Sequence, residues 1–461
     1  MKKLIFFLIV LNFMSLKAQW VDVGPATGFA PAGAVVPQLR FHPVTSEPHI
    51  LFLDFEQNVG AGYTLMRFDG SNWTDVGGRY FQPEVFGILT PFQVGFEFNP
   101  INNRPTVQYN SPPLHVQEYD GVSWVEFVGT NTITIRDFFA GGGLSFALNP
   151  LTGYPTVAFS DSSPGGVLGL ASVVSFGGTN WGYLGTPKFT QTTTVYLDIA
   201  YSILNGAPYL LHGGGPANQI TVSAFDGAIW NDLGSPNFAN QNNTIAKIRI
   251  NQITGDIYIA KPSTINTQPT IEVKKWDGTN WVELVTDITQ VHSQATAFDI
   301  QIHPISGEVF LLYMDRDLGG ANPQLNLKQL IGSDWLQVGT ESISTGGSDH
   351  ISLEFHPTTN IPYVAYGSAS GSGGWLKKFN GVLEVNDTNV LEASVLYPNP
   401  AGDTVSFSDV TVNEIIVYDQ NGRQLLSAKN NSVNLEFLAP GLYYIKGSNG
   451  DATVVKKLIK K

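Results

Sequence analysis

The chain has 461 residues, a formal charge of −13, no cysteine, 48 glycines and 27 prolines, with 12% aromatic and 14% charged residues. That length exceeds one compact core, and the Gly- and Pro-rich composition suits many short strands joined by tight turns. The acidic balance argues against a nucleic-acid backbone or an anionic membrane surface as partner, and the missing thiols exclude disulfides, thiolate metal sites and a Cys nucleophile.

The N-terminus reads as an address. Lys2 and Lys3 precede an apolar run, Leu4 to Leu16, that stops at Lys17-Ala18-Gln19. A positive start, a short apolar stretch and a small residue at its end predict a secretory signal peptide over 1–18, cleaved between Ala18 and Gln19. The run falls short of the roughly 20 residues that span a bilayer, and no later segment is long and apolar enough, so no transmembrane span is expected in the mature chain. Losing Lys2, Lys3 and Lys17 takes the formal charge to −16.

From residue 19 to 388 one pattern returns. FDGSNW (68–73) recurs as YDGVSW (119–124), FGGTNW (176–181), FDGAIW (225–230), WDGTNW (276–281) and LIGSDW (330–335), with 51, 57, 49, 51 and 54 residues between successive Trp, the period of propeller blades. Upstream of these hairpins stand FHPVTSEPHILF (41–52), FNPINNRPTVQY (98–109), LNPLTGYPTVAF (148–159), IHPISGEVFLLY (302–313) and FHPTTNIPYVAY (355–366), with weaker copies at 201–212 and 250–261. Each unit reads as strand, Pro/Gly turn, strand, loop, strand, Asp-Gly turn and a last strand that begins at Trp. That is a four-stranded antiparallel blade.

Seven copies of the upstream pattern meet six complete hairpins. The seventh unit has WLKKFNG (375–381) but Glu384 where its Trp belongs, while QWVDVG (19–24) matches NWTDVG with no blade before it. The expected fold is therefore all-β: a seven-bladed β-propeller over 19–388 with the N-terminal strand closing the last blade, plus a small C-terminal β-sandwich over 389–461. Such closure removes open sheet edges. Each hairpin Trp is expected to pack between blades and each Asp-Gly to supply the positive φ of a tight turn, the alternative being a stripe of sugar-stacking pockets.

The hairpin resembles the Asp box of sialidase-like propellers. It departs from it because Asp69, Asp120, Asp226 and Asp277 adjoin the Gly, whereas the Asp box sets its Asp two positions earlier. The resemblance implies a blade and not sialidase activity, and the arginine triad of those enzymes is not seen.

Beyond residue 388 the beat stops. LYPNPAGDTVSFSD (396–409), IIVYDQNGRQLL (415–426), LEFLAPGLYYIKG (435–447) and VVKKLIKK (454–461) alternate apolar residues with Asn-Gly and Pro-Gly turns, as a small β-sandwich does. Tyr397-Pro398-Asn399-Pro400, Tyr418-Asp419, Gly422-Arg423, Gly441-Leu442-Tyr443 and the tail with Lys456, Lys457, Lys460 and Lys461 resemble, in this order, the type A C-terminal sorting domain of type IX secretion cargo. The resemblance implies passage through the outer membrane of a Gram-negative cell, recognition by the type IX translocon, and removal by a sortase that anchors or frees the cargo.

Candidate chemistry is sparse. Asp54, Asp161 and Asp315 begin loops at one register, six residues after the turn Pro position, with Asp317 close by. Carboxylates there could hold calcium or act as an acid/base pair on a glycan, or simply cap nearby backbone N–H groups. Alternate residues of the innermost strands, Arg40, Glu97, Asp198, Arg249, Asp299 and Glu354, predict a polar channel that either holds a small solute or pairs its charges internally. His42, His303 and His356 take the turn position that holds Asn99, Asn149, Ser202 and Asn251 in other blades, which favours turn capping over a zinc site. No Gly-x-Ser-x-Gly, His-Glu-x-x-His, Walker-type or dinucleotide motif is present.

The expected protein is a monomeric, exported surface or released propeller that binds an extracellular glycan or protein and needs no cofactor. The alternatives are a carbohydrate-active hydrolase or lyase using Asp54, Asp161 or Asp315, and a structural surface repeat protein.

Overall fold

The computed structural model describes residues 19–30, 33–56, 60–83, 94–110, 114–129, 143–163, 167, 169–214, 219–236, 238–240, 245–265, 268–284, 298–315, 324–339, 342–344, 350–367, 373–381, 383, 395–408, 412–419, 424–449 and 453–461. The segment 1–18 read as a signal peptide, Ala18 included, lies outside the described residues, as do Asp317, Glu384, Gly422 and Arg423. Every regular element among the described residues is a β-strand. The chain forms two compact units, Met1–Gly381 and Val382–Lys461.

Among the described residues the first unit holds seven antiparallel sheets, each built on a four-strand path. Their innermost strands are Ala34–Phe41, Val94–Phe98, Leu144–Leu148, Thr194–Tyr201, Lys247–Ile250, Phe298–Ile302 and His350–Phe355, here numbered blades 1 to 7. In blades 1 to 6 the outermost strand begins at or beside the hairpin Trp, from Trp73–Asp75 to Asp334–Gln337. In blade 7 the outermost strand is Trp20–Asp22, with Trp20 opposite Phe379 and Asp22 opposite Lys377. The split last blade read from the two chain ends is thus formed, and Asn380 N donates to Gln19 O (2.6 Å) to extend it.

Buried apolar clusters join neighbouring sheets. Leu51 and Leu65 of blade 1 pack with Phe96 and Val107 of blade 2, and Leu39 and Phe41 of blade 1 pack with Tyr363 and Ala365 of blade 7. The sheets follow one another face to face and the seventh packs on the first, as propeller blades do. Middle strands are covered on both faces, which is why Pro155–Asp161 is buried throughout and shows no polar alternation.

Two turn types recur. In the first, the residue after the innermost strand donates its N–H across the hairpin, and its carbonyl accepts from the residue four further on. His42, Asn99, Asn149, Ser202, Asn251, His303 and His356 all do both. The position receiving the tight backbone has positive φ in all seven blades: Ser46, Asn103, Gly153, Gly206, Gly255, Gly307 and Asn360, at 58° to 81°. The weak repeat copies at 201–212 and 250–261 therefore share the geometry of the strong ones.

In the second turn, Asp69, Asp120, Asp226 and Asp277 each accept two backbone N–H groups at 2.6–2.9 Å. The Gly that follows takes φ of 96–102°. These N–H bonds hold the exposed Asp carboxyls below their ordinary range.

The hairpin Trp latches blades. Trp181, Trp230 and Trp281 donate Nε1–H to Phe127 O, Leu184 O and Leu233 O of the preceding blade at 2.8–3.1 Å. Phe81, Phe189 and Phe238, from the loop after that blade's outer strand, stack on Trp124, Trp230 and Trp281 at 4.5–5.3 Å. A Cβ on Gly77 would overlap the Trp124 indole, so the close approach demands glycine there. Trp230 and Trp281, with a stacked Phe on the ring and the ring N–H bonded to backbone, act in packing rather than as sugar platforms, whereas the buried Nε1 of Trp20, Trp73, Trp124 and Trp335 has no acceptor among the described residues.

The second unit is a two-sheet sandwich. One sheet contains Leu396–Tyr397, Thr404–Phe407 and Ser432–Asn434. The other runs Gln424–Ala428, Glu414–Tyr418, Gly441–Ser448, Thr453–Lys460. Val405, Phe407 and Val433 meet Ile415, Val417, Ile445 and Leu458 in one core.

Candidate functional site

The innermost strands of all seven blades line a cavity of about 470 Å³. Because side chains alternate, two registers turn inward, three residues and one residue before the strand's final position. The first ring, Gln38, Gly95, Ser145, Asp198, Lys247, Asp299 and Ser352, lines the cavity in every blade; of the second register, Arg40, Glu97, Ala147, Ala200, Arg249, Gln301 and Glu354, the residues Arg40, Glu97 and Arg249 line it.

The first ring staples blades together. An innermost strand leaves N–H groups on its channel edge without a ladder partner, and a buried orphan donor is costly. Ser352 Oγ accepts from Leu39 N (3.1 Å), Ser145 Oγ from Ile199 N (3.0 Å), Asp198 Oδ2 from Ile248 N (2.9 Å) and Asp299 Oδ2 from Leu353 N (2.9 Å). In each case the side chain belongs to one blade and the N–H to the next. At blade 1 the strand bulges between Val35 and Gln38, with Val36 at φ 48°, and the Gln38 amide donates to Val94 O of blade 2.

The charges fall into two clusters. Arg40 makes a two-armed bond to Glu97 (2.7 and 3.0 Å) and an ion pair with Glu354 (3.6 Å). Across the cavity Asp299 accepts from Lys247 (2.8 Å) and Arg249 (3.3 Å), and Arg249 also reaches Asp198 (3.2 Å). Each of the six channel residues singled out in the sequence is therefore ion-paired with a residue of another blade.

Burial works against the Arg40 charge, yet Glu97, with Glu354 and Asp299 behind it, raises its pKa above the ordinary value. Burial pushes Glu354 up to about 7, against Arg40 and with the help of Glu97 and Asp299. Asp198 is raised by burial despite Arg249, whereas Lys247 and Arg249 overcome burial at Asp299 and hold it low.

The loop-start carboxylates sit at the ends of second strands in blades 1, 3 and 6. Asp54, 1% exposed, bonds Arg79 through both oxygens (2.7 and 3.2 Å) and accepts from Thr64. Asp161, also 1% exposed, accepts from Ser172 Oγ (2.7 Å) and Ser163 N (2.8 Å). Asp315 pairs in register with Gln324 on the next strand. None of the three lines the axial cavity. No group of three or more His, Asp or Glu that could hold a metal gathers among the described residues. Arg79 was not singled out in the sequence, since nothing local marks it as the partner of a carboxylate 25 residues earlier.

The three turn histidines cap. Nδ1 of His42, His303 and His356 each accepts two backbone N–H groups two and three residues on, at 3.0–3.4 Å, so each ring is neutral with its proton on Nε2. Burial lowers all three, and it pushes His49 and His212 down to about 4.

A folded-state pKa below the ordinary 6.5 means that the unfolded chain takes up protons first on acidification. Stability is then complete above about pH 6.5 and is lost as pH falls, at on the order of 3 kcal/mol each for His49 and His212 by pH 4. Glu354 has the opposite sign, since its raised value removes stability as pH climbs from about 4.5 to 7. The five histidines outweigh it. The melting temperature is expected to fall steadily from pH 6.5 to 4.5, and E354Q is expected to steepen that fall and to raise the plateau above pH 7. A flat profile would mean that the histidines are free to protonate in place.

In the second unit the Tyr397-Pro398-Asn399-Pro400 turn is tied to the last strand. Asn399 Nδ2 donates to Lys457 O (2.7 Å), Ile459 N donates to Asn399 Oδ1 (3.0 Å), and Ala401 and Ile459 share a backbone bond (2.7 Å). The basic tail is itself a strand, with Lys456 and Lys457 opposite Ile445 and Tyr444, and Lys460 opposite Gly441. Lys460 pairs with Asp403 at 3.2 Å, and Lys461 N donates to Ala401 O. Tyr418 stands opposite Tyr444, and the Tyr443 hydroxyl donates to Ala439 O. Separate sequence motifs thus converge on one folded tag.

Residues 395–461 match the secretion system C-terminal sorting domain family. No curated protein matches the chain. The sorting domain marks a cargo of the type IX machinery, carried across the outer membrane to the cell surface or the medium.

Proposed function

We propose that the propeller is the cargo's working part, a binding module for an extracellular glycan or protein, engaged on the face that carries the second-to-third-strand and blade-to-blade loops, which strand alternation sets opposite the two short turns of each blade. The observation behind this reading is that Asp54 and Asp161, the best-placed candidates for acid/base work, are tied to Arg79 and to Ser172 and Ser163 within their own blades. A carboxylate held in such pairs positions a loop, and loops on a rigid scaffold are where recognition accumulates. The tag is read by the translocon and removed by a sortase after transit, which leaves the propeller anchored or free.

The experiment is a glycan array with the chain from residue 19, each hit followed by mass spectrometry of the bound sugar. Saturable binding that leaves the glycan intact is the expected result. A mass change that disappears in D54N, D161N or D315N would make the protein a hydrolase or lyase instead. A blank array on folded protein would remove the glycan and leave a protein ligand.

A further inference from the structure

The axial cavity holds more charge than the blades need to stay together. Joining blades through partly buried ions is rarely a net gain in stability, because apolar side chains of similar volume do as well once desolvation is counted. Yet seven charged groups, Arg40, Glu97, Asp198, Lys247, Arg249, Asp299 and Glu354, gather about one axis. The same two registers hold Ser145, Ser352, Ala147 and Ala200, whose small side chains leave the axis unfilled. The space that remains, about 470 Å³, falls within the about 300–1,000 Å³ of small-molecule sites.

The pairing also leaves valences open, and they differ in sign across the cavity. On blade 5 the Lys247 ammonium, which has several donors, meets one acceptor among the described residues, Asp299 Oδ1, and otherwise lies 5.7 Å from the Phe298 ring centre. Beside it Arg249 bonds Asp198, Asp299 and Ile248 O through Nη1 and Nη2, and its Nε has no acceptor among the described residues. On blade 2 Glu97 meets Arg40 alone, and with its side chain 36% exposed it is the most open charged group of the cavity. Asp299 of one cluster still acts on Arg40 and Glu354 of the other, so the two lie within electrostatic reach.

Half-buried Val36, Val195 and Ile245, with Phe298 and Ile351, line the cavity where the innermost strands begin. This collar holds no Asp, Glu, Lys or Arg among the described residues, and it lies on the side of the blade-to-blade loops.

We propose that the axial cavity binds a small zwitterion with an apolar side chain, an amino acid or short peptide. Its carboxylate meets Lys247 and Arg249, its ammonium meets Glu97, and its side chain rests on the collar. Three cations against four carboxylates leave the floor near neutral. A ligand that carries both signs adds no net charge to such a site, whereas a simple anion or cation does. A neutral sugar brings no opposite charge to either end and suits an apolar collar poorly. The site goes beyond recognition on the loops and does not rest on it, so a glycan-array result leaves it untouched.

Isothermal titration calorimetry of the chain from residue 19 tests this. The probes are leucine and leucyl-leucine as zwitterions, leucinamide and N-acetylleucine as analogues with one charge, and glucose as the neutral comparison. At least one zwitterion is expected to bind one-to-one, about tenfold or more tightly than either analogue. Glu97→Gln is expected to erase the preference over N-acetylleucine and Lys247→Met to reduce the preference over leucinamide, each leaving the other in place. A general loss of stability would not split the two preferences in this way. Asp120→Asn, in an exposed turn outside the cavity, is expected to change neither. A blank titration on folded protein, analogues that bind as tightly as the zwitterion, preferences unmoved by the two variants, or glucose binding instead would each overturn the proposal.

Discussion

Replacing Asp299 with alanine is expected to cost the propeller about 3–5 kcal/mol of unfolding free energy, read from urea denaturation. The 3% exposed carboxylate is the common acceptor for Lys247 and Arg249 and caps Leu353 N of the next blade. Its removal leaves two cations facing each other in the cavity and a donor on the channel edge with no acceptor. Asp299→Asn keeps an acceptor for Leu353 and loses the charge, so its cost should be clearly smaller. If both variants stay within about 1 kcal/mol of the wild type, water and not the neighbouring blades satisfies the channel charges, and the cavity becomes a stronger ligand site.

Deleting residues 19–24 should cost more. Trp20 is 4% exposed and packs on Phe379 at 5.3 Å, and a buried Trp truncated to alanine alone costs about 3–5 kcal/mol. The deletion also strips the strand from Gly374–Phe379 and exposes that edge, a template for pairing with other chains. The expected outcome is lower thermal stability together with light scattering on warming, and W20A should show the first with less of the second. A deletion variant that melts like the wild type would mean that blade 7 is complete with three strands.

The blade count was legible because one turn must be repeated with one chemistry. An Asp ahead of a positive-φ Gly, or a capping His, Asn or Ser four residues ahead of a Gly, Asn or Ser, is dictated by backbone geometry, so it survives in blades whose strands have diverged. QWVDVG at 19–24 and a seventh unit without Trp were enough to place the closing strand. The sorting tag was legible in the same way, through Tyr397 to Pro400, Gly441 and the lysine tail.

The candidate site was legible only in part. Alternation in short strands marks Arg40, Glu97, Asp198, Arg249, Asp299 and Glu354 as facing one channel. It does not say that Arg40 takes Glu97 and Glu354, or that Arg249 bridges Asp198 and Asp299, because those partners are about 50 to 300 residues apart and meet only when blades are set side by side. Asp54 read as a loop cap or a candidate acid/base group, and its ion pair was not legible, because its partner Arg79 arrives from beyond the third and fourth strands of its own blade.

By itself, then, the sequence determined the all-β class, the number of repeats, the closing strand and the export tag, since turn geometry and period are local and each is fixed by a few neighbouring residues. Tertiary structure alone decided which charges cancel and which carboxylates are structural. Those properties depend on the rotation from blade to blade, which no single repeat contains.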